Sequence, residues 1–187
     1  NPNWGADYTT GNFKNCTGLL SYTAHPDNTA FSTYNDIVYS NDFKILLKYP
    51  RAKQSDIIVH PMCDTIGEGA FYGATALKST NVIDVNNVTY FKTNAFRNVR
   101  ASIIINKPIK KLESYCLYGC TGLKNIIYLD PDLTEIETQA LYNTYISDII
   151  WSTNLQIIGD SAFSYCIHLT SLNIPHSVTT LKYKAFA

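Results

Sequence analysis

Apolar residues recur along this chain with a long period. A small residue followed by Phe or Leu stands at Phe71, Phe96, Leu117, Leu141, Phe163 and Phe186, at intervals of 25, 21, 24, 22 and 23 residues. A period in the twenties is the signature of a solenoid, in which each turn buries its apolar face only against its neighbours. Two further columns keep the same register. Five residues before each anchor stand Ile66, Phe91, Leu112, Ile136, Ile158 and Leu181, and eight before it stand Cys63, Val88, Ile109, Leu133, Leu155 and Val178.

Earlier in each turn the period changes to two. Ile57 with Val59, Ile103 with Ile105, Ile127 with Leu129, Ile149 with Trp151, and Leu172 with Ile174 are apolar pairs two apart, as expected of inward residues on a short strand. Pro61, Pro108, Pro131 and Pro175 follow the strands and mark a bend, since proline cannot donate to an interior ladder. The anchor itself is predicted to lie in one helical or 3-10 turn, as over residues 161–166. The fold class expected is therefore an α/β solenoid, with a parallel sheet on one face and short helical turns opposite.

The N-terminal part breaks this rhythm. Phe13, with Asn12 before it and Cys16 three residues after, reads as an earlier anchor, yet Phe71 follows only 58 residues later. Strand-like runs at 36–39 and 44–49 flank Ser40, Asn41, Asp42 and Phe43, which predicts a β-hairpin between turns. The chain is thus read as one domain over 1–187, with an N-terminal turn at 1–24, an inserted hairpin segment at 25–56 and regular repeats over 57–187. It ends at Ala185, Phe186 and Ala187, in the middle of a repeat, so the array is expected to continue past the end.

At this point the residues resemble a known family. Residues 157–186, with Ile158-Gly159, Ala162-Phe163, Cys166 and the Ile174-Pro175 bend, are similar to the BspA-type leucine-rich repeat, as are residues 65–77 and 115–126. Residues 13–24 followed by 36–50 resemble the hairpin-bearing repeat common in that family. The turns at Phe96, Leu117 and Leu141 depart from the pattern and are expected to be locally irregular. Such a resemblance implies a secreted or cell-surface protein that adheres to a protein or glycan ligand, such as host matrix or a cell surface. The fold itself hosts many functions, so two other readings stand beside adhesion. One is a structural spacer or intracellular scaffold without a dedicated ligand. The other is a polysaccharide-processing solenoid.

Charge adds little to the adhesion reading and removes one alternative. Fifteen basic and fifteen acidic side chains cancel, so no overall field gathers nucleic acid, and none is expected as a partner. No stretch reaches the ~20 apolar residues of a membrane-spanning helix, so no membrane insertion is expected within this chain.

The chemical candidates are few. Cys16, Cys120 and Cys166 share one column, but the last two stand two turns apart, about 9 to 10 Å along the stack, too far for a disulfide. Cys63 and Cys116 fill slots held by Val178 and Ala162 and are expected to be buried thiols, leaving Cys116 with Cys120 as the one pair close enough to consider. His25, His60, His168 and His176 fall in different turns, so no metal site is expected. A polysaccharide-cleaving solenoid needs carboxylates from adjacent turns on one face. Asp56 and Asp148 share a column, but Asn81, Ser102 and Ile126 stand between them. No enzyme activity and no cofactor are expected.

One column remains for recognition. The position between the two inward strand residues faces outward, and it reads Ile58, Ile104, Tyr128, Ile150 and Asn173, with Ile83 or Asp84 in the turn of Phe96. An exposed sheet face is normally polar, so an apolar stripe there predicts a partner-binding surface. Strand propensity alone, or a covering hairpin, would also place such residues there. Asn15 and Asn87 each open an Asn-x-Thr glycosylation triplet.

Overall fold

The computed structural model describes Phe13 and residues 15–187. Asn12, read above as the small residue of an N-terminal anchor, lies outside the described residues. The chain coils as a β-solenoid. The coil opens with β1 (Phe31–Tyr34), β2 (Ile37–Ser40) and β3 (Ile45–Lys48). It continues with β4 (Ile57–Ile58), β5 (Thr65–Ile66), β6 (Val82–Asp84), β7 (Tyr90–Phe91), β8 (Ser102–Ile104) and β9 (Lys111–Leu112). It closes with β10 (Ile127–Tyr128), β11 (Glu135–Ile136), β12 (Ile149–Ile150), β13 (Ile157–Ile158) and β14 (Thr180–Leu181).

Each full turn contributes two strands to two different walls. The first strand of each turn builds a narrow wall, in which β4, β6 and β8 pair in parallel and β10 pairs with β12. This wall is where the period-two pattern placed it. The second strand builds a wider, nine-stranded sheet ordered β1-β2-β3-β5-β7-β9-β11-β13-β14. That sheet takes its inward residues from the column five before the anchor, and Ile66, Phe91, Leu112, Ile136 and Ile158 are all fully buried. Sequence reasoning identified this column as internal but not as a second sheet. Alternation over only two residues, as in Lys111-Leu112 and Glu135-Ile136, is too short to stand out in one turn.

The helical turns predicted around the anchors do not form. Among the described residues there is no helix. The reason lies in the backbone angles and in where the N–H groups go. Two residues before each anchor φ is positive, at Gly69, Asn94, Tyr115, Gln139, Ser161 and Lys184, and two residues after it φ is positive again, at Gly73, Asn98, Gly119, Asn143 and Tyr165. Left-handed residues stop a right-handed helix and suit the third position of a type II turn. The intervening N–H groups then point to the next turn of the coil. Phe71 donates to Ala95 O at 2.9 Å, Phe96 to Cys116 O at 2.8 Å, Leu117 to Ala140 O at 2.9 Å and Leu141 to Ala162 O at 2.9 Å. The anchor segment is thus a third backbone ladder that satisfies its polar groups between turns.

The hairpin is a continuation of the wide sheet. β1, β2 and β3 form an antiparallel meander, and β3 then pairs in parallel with β5, so the meander extends the sheet at its N-terminal end. Tyr49, just after β3, occupies the anchor column. Its N–H donates to Ala70 O at 3.0 Å, as Phe71 donates to Ala95 O, and its ring stacks on Phe71 at 5.0 Å. The 58-residue gap therefore contains an anchor, and the regular register begins at Tyr49. It escaped the pattern because Lys48 holds the slot that Ala fills in most turns. The ring column continues from Phe71 to Phe96 at 4.5 Å and resumes between Phe163 and Phe186 at 5.2 Å. Leu117 and Leu141 bridge the interval fully buried, so the turn of Leu141 is regular after all.

Candidate functional site

The narrow wall carries the outward column. Its inward residues Ile57, Ile83, Ile103, Ile127 and Ile149 are buried, and the next residue of each strand turns to solvent. Ile58 is 63% exposed, Tyr128 47% and Ile150 49%, while Ile104 is half-buried. Register assigns the turn of Phe96 without ambiguity. Ile58 lies beside Asp84 and Asp84 beside Ile104, with Ile83 inside. Asp84 Oδ2 accepts from Asn86 Nδ2 at 2.9 Å, and Oδ1 is buried with no hydrogen-bond partner.

The column is not continuous. Between β8 and β10 the ladder skips residues 105–108, and Ile109 takes the place of Ile105, donating to Tyr128 O at 2.7 Å and accepting from Asp130 N at 2.9 Å. Pro108, which has no N–H, sits in the skipped segment. Tyr128 and Ile150 then pair in their own two-stranded piece. Asn173 does not join them. Residues 170–176 form no strand, and Leu172 and Ile174, expected to face inward, are 44% and 36% exposed. The structure therefore sets Tyr128 beside Ile150, separates Ile58 from Ile104 by Asp84, and leaves Asn173 outside the sheet.

The wide sheet presents the opposite chemistry. Its outer face carries Lys92 with Glu113 at 2.9 Å, Lys111 with Glu137 at 2.7 Å and Lys182 with Glu135 at 3.4 Å. Glu113 also accepts from the backbone N–H and Oγ1 of Thr93, and Glu137 from the N–H and Oγ of Ser114. Burial would raise the Glu113 carboxyl, but the Lys92 ammonium and the Thr93 donors outweigh it and hold the carboxyl below its usual range. These carboxylates tie one turn to the next. Sequence reasoning missed them, although the run of Lys and Glu flanking the apolar column was a readable signal.

The other candidates resolve as structural groups. Asp56 Oδ1 accepts from Val82 N at 2.9 Å and Asn81 Nδ2 at 3.3 Å, while Asp148 Oδ1 accepts from Ile149 N at 2.8 Å. Both carboxylates support the entry to a strand. Cys63, Cys116, Cys120 and Cys166 are buried and Cys16 is exposed, all with free thiols. Cys116 Sγ faces Ala140 O of the following turn and Cys120 Sγ faces Phe96 O of the preceding one, so the two thiols diverge. Burial pushes the Cys63 thiol up to about 11. Among the described residues no three His, Cys, Asp or Glu side chains gather to hold a metal ion, and no helix is long and apolar enough to cross a membrane. Asn15 and Asn87 are both exposed, with Asn87 Nδ2 donating to Pro61 O at 2.8 Å.

Comparison with known proteins places this arrangement. The family described as BspA type leucine rich repeat region matches in six copies, over residues 50–102 and 100–187. No curated protein matches significantly. A leucine-rich repeat protein from Eubacterium ventriosum superposes with a TM-score of 0.60 at 23% identity, covering 91% of this chain and 52% of that one. The pneumococcal vaccine antigen PcpA superposes with a TM-score of 0.51 at 18% identity, covering 90% of this chain and 46% of its own length. The chain spans about half the length of these structures, and at such identity the likeness concerns the fold.

Proposed function

The chain belongs to the BspA-type leucine-rich repeat family, and from that premise we propose that it is a surface-displayed or secreted binding module that holds a macromolecular ligand, protein or glycan, against its narrow sheet. The observation that carries this reading is the contrast between the two walls. The wide sheet covers itself with ion pairs, whereas the narrow sheet leaves Ile58, Tyr128 and Ile150 about half exposed or more. Water-exposed isoleucine on a strand costs no stability when a partner covers it, and burying three such side chains would contribute on the order of 5 kcal/mol to binding. A fold neighbour that is a vaccine antigen agrees with surface display. The reading assigns the chain no catalytic role, since Asp56 and Asp148 are each engaged by backbone N–H groups.

A screen of the chain against extracellular-matrix proteins and glycan arrays tests the proposal, with the double variant Tyr128→Glu, Ile150→Glu as control. Loss of binding with a thermal midpoint within about 2 °C of the parent supports the surface. Retained binding, or loss of folding in the variant, overturns it, and an empty screen favours the spacer reading.

A further inference from the structure

The outer face of the narrow wall is acidic as well as apolar. Side chains on one face of an extended segment lie two residues apart, so Asp56 shares its face with Ile58, Asp130 with Tyr128 and Asp148 with Ile150. Asp84 stands in the stripe itself, with Ile58 beside it on one strand and Ile104 on the other. The five stretches that build this side, residues 56–62, 81–87, 101–108, 124–132 and 147–154, together hold five Asp, two Lys and no Glu or Arg. The two cations, Lys107 and Lys124, lie outside the strands.

Asp56, Asp84, Asp130 and Asp148 form no ion pair among the described residues. Their donors are neutral N–H groups, such as those of Val82 for Asp56, Asp132 for Asp130, Ile149 for Asp148 and the Asn86 amide for Asp84. On the wide sheet, by contrast, Glu113, Glu135 and Glu137 are each matched by a lysine. A partner that covers Ile58 and Ile104 must also take Asp84 out of water, because the three lie side by side in the ladder, about 5 Å apart. Asp84 Oδ1 is already buried without a hydrogen bond, so the chain supplies no compensation of its own. Removing a carboxylate from water is strongly unfavourable unless the cover brings a cation or hydrogen-bond donors with it. The same condition holds at the pair Tyr128 and Ile150, which Asp148 flanks on the entry side of the strands and Asp130 on the exit side.

We propose, resting on the reading of the narrow wall as the binding face, that its partner is a basic polypeptide surface that interleaves Lys or Arg with apolar side chains. Apolar groups of the partner meet Ile58, Tyr128 and Ile150, and cations between them meet Asp84, Asp130 and Asp148. Ammonium and guanidinium groups supply the charge-assisted donors that these carboxylates lack within the chain. Such charge matching governs which partner is accepted and how fast it docks more than how tightly it is held. An acidic glycan is repelled by the same carboxylates, and a neutral one leaves Asp84 without a counter-charge.

Fluorescence anisotropy with three labelled decapeptides tests the proposal, one alternating Lys and Leu, one Glu and Leu, and one Lys and Ser. The Lys-Leu peptide should bind saturably and more weakly as salt is raised, with the other two at least about tenfold weaker. Asp84→Asn with Asp148→Asn, which keeps a side-chain oxygen for the Asn86 and Ile149 donors, should lower Lys-Leu affinity about tenfold. Asp27→Asn with Glu135→Gln, which removes the same charge outside the narrow wall, should bind like the parent. The proposal is overturned by absence of saturable Lys-Leu binding or by equal losses in these two double variants. Equal binding of the Lys-Leu and Glu-Leu peptides, both lost in Tyr128→Ser with Ile150→Ser, overturns it while leaving the narrow wall as the binding face. Lys-Leu binding that survives Tyr128→Ser with Ile150→Ser overturns both readings. Circular dichroism confirms that each variant is folded, and Asp84→Asn alone replaces the double variant if that one is not.

Discussion

Lys48 occupies the column that alanine fills at residues 70, 95, 140, 162 and 185, and it is 9% exposed. Its Nζ donates to Gly69 O at 2.7 Å, and no carboxylate among the described residues pairs with it. Burial, reinforced by the nearby Arg51 guanidinium, lowers its pKa from 10.5 to about 8. Below pH 8 both the folded and unfolded chains carry the proton, and the folded state bears the whole cost of a buried ammonium, about 3 kcal/mol. Between pH 8 and 10.5 the unfolded chain binds a proton that the folded chain does not, so this group makes stability rise with pH across that window. Lys48→Met keeps the aliphatic stem and removes the charge. Gly69 O still accepts from Tyr72 N at 3.1 Å, so no carbonyl is orphaned.

The variant should be more stable than the parent by about 2 kcal/mol at pH 7, with the difference shrinking towards zero by pH 10.5. Urea denaturation followed by far-UV circular dichroism and by fluorescence of Trp151, which packs on Phe163, measures both curves. Above pH 9 the raised thiol of Cys63 and the raised phenol of Tyr49, pushed up to about 12, lower stability in both proteins and cancel in the difference. A pH-independent offset, or a parent more stable than the variant at pH 7, would refute the reasoning.

Two further outcomes follow from the turns themselves. Gly119 has φ +68°, and a Cβ there would lie 2.5 Å from Asn98 Oδ1, so Gly119→Ala should cost at least about 1 kcal/mol by thermal or urea unfolding. The conservative Gln139→Gly change, at a position already left-handed, should be neutral or stabilising in the same assay. Titration with a thiol reagent should modify Cys16 in the native protein and the other four cysteines only after unfolding, because those four are buried.

The inward columns were legible because burial repeats in every turn and averages out local exceptions. Ile57, Ile103, Ile127 and Ile149 stand inside as the period-two pattern requires, and so do the columns five and eight residues before the anchors in all but the last turn. Tyr49 was missed because one atypical neighbour, Lys48, broke a pattern that backbone bonding ignores. The left-handed positions were visible in part, since Gly73, Asn98, Gly119 and Asn143 are residue types that tolerate positive φ. Tyr115, Gln139 and Lys184 hid the column at the other side of the anchor, because no residue preference marks them.

By itself the sequence determined the period, the family and which side chains face the interior, since all three depend on recurrence along the chain. Only the tertiary structure decided that the anchor segments form an inter-turn ladder in place of helices, and that the outward column breaks between Ile104 and Tyr128. Both depend on how many residues each turn uses before the backbone returns to register, and that number is set by hydrogen bonds between turns.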